Sequence, residues 1–140
     1  MVFTVQKEAA LRMTASPGTK NYASFTVLCQ SAYTVKSAFD LSPGVFWPQP
    51  RVISSVVVMT ARADAVPLAG VKAFTDFTRA CFSSRRKTLR NNLKAAGYSE
   101  AVLADACASV GVSPDARGET LSAELFSSLF RAIEAARAGA

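Results

Sequence analysis

The sequence predicts two unequal parts, an α/β segment over residues 1–62 and a small all-α domain over residues 71–140, joined by a linker at 63–70. Two observations predict the first part. An apolar strand at 2–5 continues directly into a helical pattern, as in α/β units. Residues 52–59 are rich in β-branched side chains, which favour strands. Beyond the linker, apolar residues recur only at helical spacing, which predicts the second part.

Turn residues divide the α/β part into elements. After the first strand, Ala9, Ala10 and Met13 share one side of a helix. Three prolines close together predict a rigid loop, because proline fixes the backbone and removes a hydrogen-bond donor. We expect the last strand to pair antiparallel with the strand before it. The further predicted elements are a loop at 16–21, a helix at 23–32, a strand at 33–41, the rigid loop at 42–50 and a strand at 52–59.

The all-α part is predicted to contain four helices. Ser99 and Ser122 stand where N-cap residues are expected, and Gly97 and Gly111 stand where helices end. The last helix carries an apolar stripe that we expect to face the core, with contact to a partner as the alternative. The first three helices are predicted at 71–82, 85–96 and 100–110, and the stripe consists of Leu125, Phe126, Leu129, Phe130 and Ile133.

Composition excludes several classes of chemistry. The chain has 140 residues and no histidine, so Ser-His-Asp hydrolysis, Cys-His proteolysis and His-ligated zinc are excluded. Its three cysteines are too far apart for a CxxC metal clip, and we expect reduced thiols in a cytoplasmic protein. No apolar run is long enough to span a membrane, and the apolar start is too short for a signal-peptide core. We therefore expect neither a metal nor a membrane partner.

The net charge of +6 comes from a single stretch. Residues 77–99 hold six basic side chains and no acidic one, so the rest of the chain is neutral. On a helix over 85–96, Arg86, Arg90 and Lys94 would line one exposed ridge, where like charges four residues apart repel. Phosphates would neutralise that ridge and release counterions.

Two other interpretations of this basic stretch stay open. It can be a solvated basic face, or its cations can pair with the acidic residues of 100–140. Polar neighbours such as Asn91 are suited to phosphate or sugar oxygens. Charge alone does not distinguish RNA from DNA.

Four segments, in chain order, resemble signatures of the small-subunit rRNA adenine N6,N6-dimethyltransferases. The longest is the basic stretch itself, and each segment alone would be moderate evidence. Their joint occurrence in the right order makes the resemblance specific, and it covers nearly the whole chain. The segments are VQKE at 5–8, FWPQPRVISS at 46–55, ACFSSRRKTLRNNL at 80–93 and VSPDARGETLS at 112–122.

The resemblance implies a fold and an activity. Members of this family transfer methyl groups from S-adenosylmethionine to two adjacent adenosines of small-subunit rRNA. Residues 1–62 would then be the C-terminal remnant of a Rossmann-like methyltransferase sheet, followed by a helical RNA-binding domain. Phe46 matches the family aromatic that stacks on the flipped adenine, with packing under Trp47 and the proline loop as the alternative. The expected contacts to small-subunit rRNA or the small subunit are Arg85, Arg86, Lys87, Arg90, Asn91 and Lys94.

The match covers only the C-terminal half of the family pattern. The sequence contains no GxG loop for S-adenosylmethionine and no Asn-Leu-Pro-Tyr type motif for the target amine. We therefore expect Met1 to be an internal start, a truncation or a mis-called gene end inside the cofactor domain. We expect this chain alone to have no catalytic, cofactor-binding or metal-binding residue. Ile53 stands where the family has Asp, which removes a carboxylate from that segment.

Two other functions are consistent with the residues. One is a stand-alone RNA- or ribosome-binding module that has lost methyltransferase activity. The other is a DNA-binding helical protein, which would leave residues 1–62 unexplained. Coding sequence upstream of Met1 that carries the GxG loop and the catalytic motif would favour the enzyme fragment over the stand-alone module.

Overall fold

The computed structural model describes residues 1–139, which form three strands and six α-helices. The strands are β1 (Val2–Gln6), β2 (Tyr33–Leu41) and β3 (Ser54–Ala61). The helices are α1 (Lys7–Met13), α2 (Ser24–Ala32), α3 (Val71–Cys81), α4 (Leu89–Ala95), α5 (Glu100–Val110) and α6 (Ala123–Ala138). Short 3₁₀ turns lie at Pro43–Val45, Leu68–Gly70 and Gly118–Thr120.

The three strands form one sheet in the order β1-β3-β2. β3 pairs antiparallel with both neighbours, which confirms the predicted pairing of the last two strands. Since β1 and β2 are both antiparallel to β3, they run parallel to each other. Their carboxyl ends therefore lie at the same end of the sheet. β3 lies in the centre with Val56, Val57 and Met59 buried, which explains its run of β-branched residues.

Two hydrophobic cores are present. The smaller one packs α1 against the sheet through Ala10, Met13, Val57 and Met59. The larger one fills the helical part, yet it also includes Tyr22 and Val27 from the α/β part. The buried Tyr22 hydroxyl donates to the Leu121 carbonyl at 2.6 Å, and burial raises the pKa of this phenol. The larger core therefore crosses the linker and ties the two parts together.

The basic stretch is where the structure departs most from the predicted elements. α4 begins at Leu89, with Thr88 at its N-cap accepting a hydrogen bond from the Asn91 amide at 3.3 Å, so the predicted helix start at residue 85 is wrong. The preceding residues form a turn in which the Lys87 amide donates to the Ser84 carbonyl at 3.1 Å. The predicted ridge is therefore broken, because Arg86 lies outside the helix.

The buried Asn92 side chain explains this turn. Its amide nitrogen donates to the carbonyls of Cys81, at 2.9 Å, and Ser84, at 3.0 Å. Its side-chain oxygen accepts from the Ser83 hydroxyl at 3.1 Å. A buried amide satisfied in this way stabilises the end of α3 and the turn together. It also leaves Asn92 and Ser83 engaged within the fold.

The last two helices agree with the predicted caps in part. Gly111 ends α5 with φ +72°, a left-handed conformation that favours glycine. The Ser122 hydroxyl caps α6 by accepting from the Leu125 amide at 3.2 Å, whereas Ser99 occupies the N-cap of α5 without a side-chain bond. The α6 stripe faces the core as predicted, except that Leu125 is partly exposed. Within residues 1–139, no helix is long and apolar enough to cross a membrane.

Candidate nucleic-acid interface

Arg85 is exposed, yet its guanidinium is bonded to two other segments of the fold's surface. Its guanidinium pairs with Glu119 at 3.2 Å and donates to the carbonyls of Lys20, at 3.2 Å, and Tyr22, at 3.0 Å. These bonds join the turn before α4 to the loop before α2 and to the turn before α6. Arg85 therefore positions three segments, and its predicted contact with RNA stays a prediction.

Two further cations of the basic stretch have acidic partners. Arg90 lies 3.6 Å from Asp115, and Lys94 lies 2.7 Å from Glu100. The Lys94 ammonium lowers the pKa of Glu100 by hydrogen bonding to its carboxylate. For these two residues the structure shows the pairing with the acids of 100–140 that the sequence left open.

Arg79, Arg86 and Lys87 are the cations of the basic stretch that make no ion pair with any residue from 1 to 139. Arg86 and Lys87 are exposed and follow Arg85 directly. Lys20 and Arg117, on the two segments that Arg85 contacts, are also exposed and without an ion pair in this part of the chain. We call Lys20, Arg86, Lys87 and Arg117 the basic junction.

Sequence reasoning missed half of the basic junction. Lys20 is separated from Arg85 by 65 residues, and nothing in its local sequence marks it as a neighbour of the basic stretch. Arg117 was placed in a resembling motif with no role. Only the hydrogen bonds of Arg85 show that the segments carrying these cations meet. Asn91 is exposed next to the junction, with its amide bonded to Thr88.

The proline loop, which carries Phe46, is the second region where the sequence predicts a contact with RNA. It lies at the carboxyl ends of β1 and β2. Phe46 is half-buried, whereas Trp47 is 97% exposed, so Trp47 does not cover Phe46. The half-burial of Phe46 is consistent with the other part of the packing alternative, contact with the proline loop. Lys7 fixes the base of the loop: its amide donates to the Ile53 carbonyl at 2.9 Å, and its ammonium pairs with Asp40 at 2.8 Å. Ile53 uses its backbone here, a contact that does not need the family's carboxylate.

Asp40 is stabilised as a carboxylate by this arrangement. The Lys7 ammonium and then the Ser55 hydroxyl, which donates at 2.6 Å, hold the pKa of Asp40 below its ordinary value. The charge of Lys7 is thus used within the fold, beside the loop that carries Phe46.

The chain is similar to proteins of known family. The model of a family described as ribosomal RNA adenine dimethylase matches residues 1–135. The chain belongs to this family. It is 42% identical over 95% of its length to Ribosomal RNA small subunit methyltransferase A of Caldanaerobacter subterraneus, and 46% identical over 95% to the protein of the same name from Rubrobacter xylanophilus.

This dimethylase-family chain spans about half the length of the curated relatives it matches, 50% and 49% for the two named above. Two solved structures have a fold similar to that of this chain. A dimethyladenosine transferase from Plasmodium falciparum gives a TM-score of 0.67 at 22% identity, covering 91% of this chain and 55% of that one. The 23S rRNA methyltransferase ErmE gives 0.64 at 18% identity, covering 95% and 54%.

Full-length members of the dimethylase family use S-adenosylmethionine, and the residues described here do not fit that cofactor. β1 passes into α1 at Gln6 and Lys7 without an intervening glycine turn. The glycines with positive φ, Gly18, Gly97 and Gly111, lie in a loop and at two helix ends. Within residues 1–139 there is no glycine-rich strand-to-helix loop for a nucleoside cofactor, and no acidic or cysteine cluster suited to a metal ion.

The three cysteines show no sign of a chemical role. Cys81 and Cys107 are buried and Cys29 is half-buried. Burial raises the pKa of each thiol, which disfavours the reactive thiolate. These side chains contribute packing to the two cores.

Proposed function

We propose that this chain is the C-terminal, RNA-holding half of a small-subunit rRNA adenine N6,N6-dimethyltransferase. It binds small-subunit rRNA through the basic junction and transfers no methyl group by itself. The proposed partner places it in the cytoplasm with the ribosomal small subunit. The order of its four family segments supports the C-terminal assignment.

The exposed side of β1 supports the same assignment. β1 is an edge strand, and Val2 and Phe3 are 66% and 45% exposed. An edge strand with exposed apolar side chains is a template for further strand pairing. The cofactor-binding half of the family is the partner we propose for this edge.

The observation that carries the RNA proposal is the basic junction. The fold uses Arg85, Arg90 and Lys94 in ion pairs, yet it leaves Lys20, Arg86, Lys87 and Arg117 exposed and without acidic partners within residues 1–139. These four cations lie on three segments that Arg85 holds together. Their mutual repulsion does not stabilise the fold. Phosphate groups would neutralise them and release bound counterions.

Charge reversal at the junction tests the proposal. We expect Arg86→Glu with Lys87→Glu to weaken binding to small-subunit rRNA by at least about tenfold. The slope of log affinity against log salt should fall by roughly one to two, because two phosphate contacts are lost. Fluorescence anisotropy over a salt series measures both quantities.

The control is Lys36→Glu with Lys72→Glu, which changes the net charge equally on β2 and α3, two elements that carry no residue of the junction. Because Lys72 pairs with Asp76 at 2.8 Å, circular dichroism must show that this variant is folded. An equal loss of affinity in both double variants would mean that overall charge, and not the junction, holds the RNA. Unchanged affinity in the junction variant would contradict the proposal directly.

A stand-alone RNA-binding module is the second candidate, and one observation favours it. All buried residues of the larger core except Tyr22 and Val27 lie in the helical part, so this part supplies most of that core itself. Upstream coding sequence in the same frame distinguishes the two candidates. A GxG loop and an Asn-Leu-Pro-Tyr type motif there would identify an enzyme half, and their absence would favour the module.

A further inference from the structure

A groove runs over the surface between α1 and the start of α2. Its widest part is a cavity of about 530 Å³. Its walls include Glu8 and Arg12 from α1, and Phe25 from the first turn of α2. Lys20 and Arg85 stand at its far end, so this end of the groove opens onto the basic junction.

The groove continues toward the proline loop. An adjoining cavity of about 380 Å³ shares Glu8, Arg12 and Phe25 with the first. A third cavity, of about 330 Å³, shares Glu8 with both and reaches Ile53, in the segment between the proline loop and β3. The three cavities together extend from the basic junction to the segment that follows the proline loop.

Phe25 lies in the middle of this groove without a role in either core. It is 46% exposed, whereas the next two residues of α2, Thr26 and Val27, are fully buried. Folding of α2 thus depends on its neighbours and not on an aromatic ring at this position. An exposed ring in a groove offers a flat surface on which a nucleobase can stack.

The charges along the groove increase toward the junction. Arg12 is paired with Glu8 at 2.8 Å, so this part of the groove is close to neutral. Lys20 has no ion pair within residues 1–139, and Arg85 holds the Lys20 carbonyl at 3.2 Å, which fixes the backbone that carries this cation. The groove thus has a neutral section with an aromatic ring, followed by the cation of Lys20. This order matches an RNA strand in which a base stacks on Phe25 and the next phosphate contacts Lys20.

We propose that this groove is the path of a single strand of RNA, with Phe25 as a second base-stacking residue besides Phe46 and Lys20 as its phosphate contact. The inference rests on the proposed function, since it takes RNA as the ligand. The inference adds the route by which an RNA strand bound at the basic junction would run toward the proline loop.

The test uses the full chain and a 12-nucleotide single-stranded RNA that carries 2-aminopurine, whose fluorescence falls when it stacks on an aromatic ring. We expect Phe25→Leu to weaken binding about tenfold and to reduce the fluorescence change, in line with the loss of one of two base stacks. Phe25→Trp should retain both. Phe39→Leu is the matched control, because Phe39 is 57% exposed on β2 and does not line the groove.

A second measurement needs no substitution. Photo-crosslinking of the unchanged chain to the same RNA containing 4-thiouridine should label the peptide that spans residues 20–25. If the label falls only elsewhere, the groove is not the path of the strand.

The outcomes separate this inference from the proposed function. Suppose that Phe25→Leu binds RNA as the unchanged chain does, while Arg86→Glu with Lys87→Glu binds weakly. The proposed RNA path through the groove is then wrong, and RNA binding at the basic junction is supported. If the unchanged chain binds no RNA, both are overturned. If polyglutamate displaces the RNA at equal charge concentration, the surface is a general anion or acidic-peptide site, and the stacking role of Phe25 is overturned.

Discussion

Arg85 and Lys87 are two cations of one turn with different roles. Arg85 bonds to Glu119 and to the carbonyls of Lys20 and Tyr22, so its charge and its donors are used in folding. Lys87 is exposed and has no ion pair within residues 1–139. Sequence reasoning assigned both to RNA, because charge is visible in a sequence and the partners of a charge are not.

This difference predicts opposite effects of two matched substitutions. Arg85→Met should lower the free energy of unfolding by about 1–2 kcal/mol, because it removes charge-assisted bonds that are partly screened by solvent. Lys87→Met should change it by less than about 0.5 kcal/mol but weaken RNA binding. Urea unfolding and fluorescence anisotropy measure the two effects. The assignment is wrong if Lys87→Met is the more destabilising change.

At the level of elements, periodicity predicted the strands and most helices well. β2 occupies the predicted residues 33–41, and α3 ends one residue before its predicted end. These elements place apolar side chains regularly against a core, and such a pattern is readable from a single sequence. The basic stretch was misread because its spacing suits a helix, while the start of that helix depends on Asn92 bonding to Cys81, 11 residues away.

The caps of α4 and α5 provide a matched pair of substitutions. Thr88→Ala should destabilise the protein by about 0.5–1 kcal/mol, because the Thr88 hydroxyl caps α4 through a 3.3 Å bond from Asn91. Thr88→Ser should retain most of this stability. Ser99→Ala should have little effect, since Ser99 makes no side-chain bond at the N-cap of α5. Thermal unfolding followed by circular dichroism compares the three variants.

An equal loss of stability in Thr88→Ala and Ser99→Ala would show that the hydrogen bond at Thr88 does not set the start of α4. That result would also contradict the turn before α4, which places Arg86 and Lys87 outside the helix. The position of these two cations outside the helix is thus open to a stability measurement as well as to a binding one.

Over the whole molecule, the structure links two candidate regions that the sequence treated separately. Phe46 belongs to the proline loop, and the basic junction lies where the helical part meets the loop before α2. Tyr22 and Arg85 make the tertiary contacts that join these parts across the linker. Such contacts join residues far apart in the chain, so neither composition nor spacing could reveal them.

The same arrangement supports a prediction about catalysis. Methyl transfer requires a cofactor held beside a flipped adenine, and residues 1–139 supply Phe46 and exposed cations but no fitting cofactor loop. We therefore expect no transfer from methyl-labelled S-adenosylmethionine to immature small subunits above a heat-killed control. Full-length Ribosomal RNA small subunit methyltransferase A of Rhodospirillum rubrum, 40% identical to this chain, is the positive control.

Binding measured in the same reactions makes a negative result informative. If the chain sediments with the small subunits and no label is incorporated, the two capacities are separate, and RNA binding lies in this half. Addition of a cofactor-binding half that pairs with the β1 edge should then restore incorporation. Label incorporated by this chain alone would show instead that its own residues hold the cofactor, and the proposed division between the halves would be wrong.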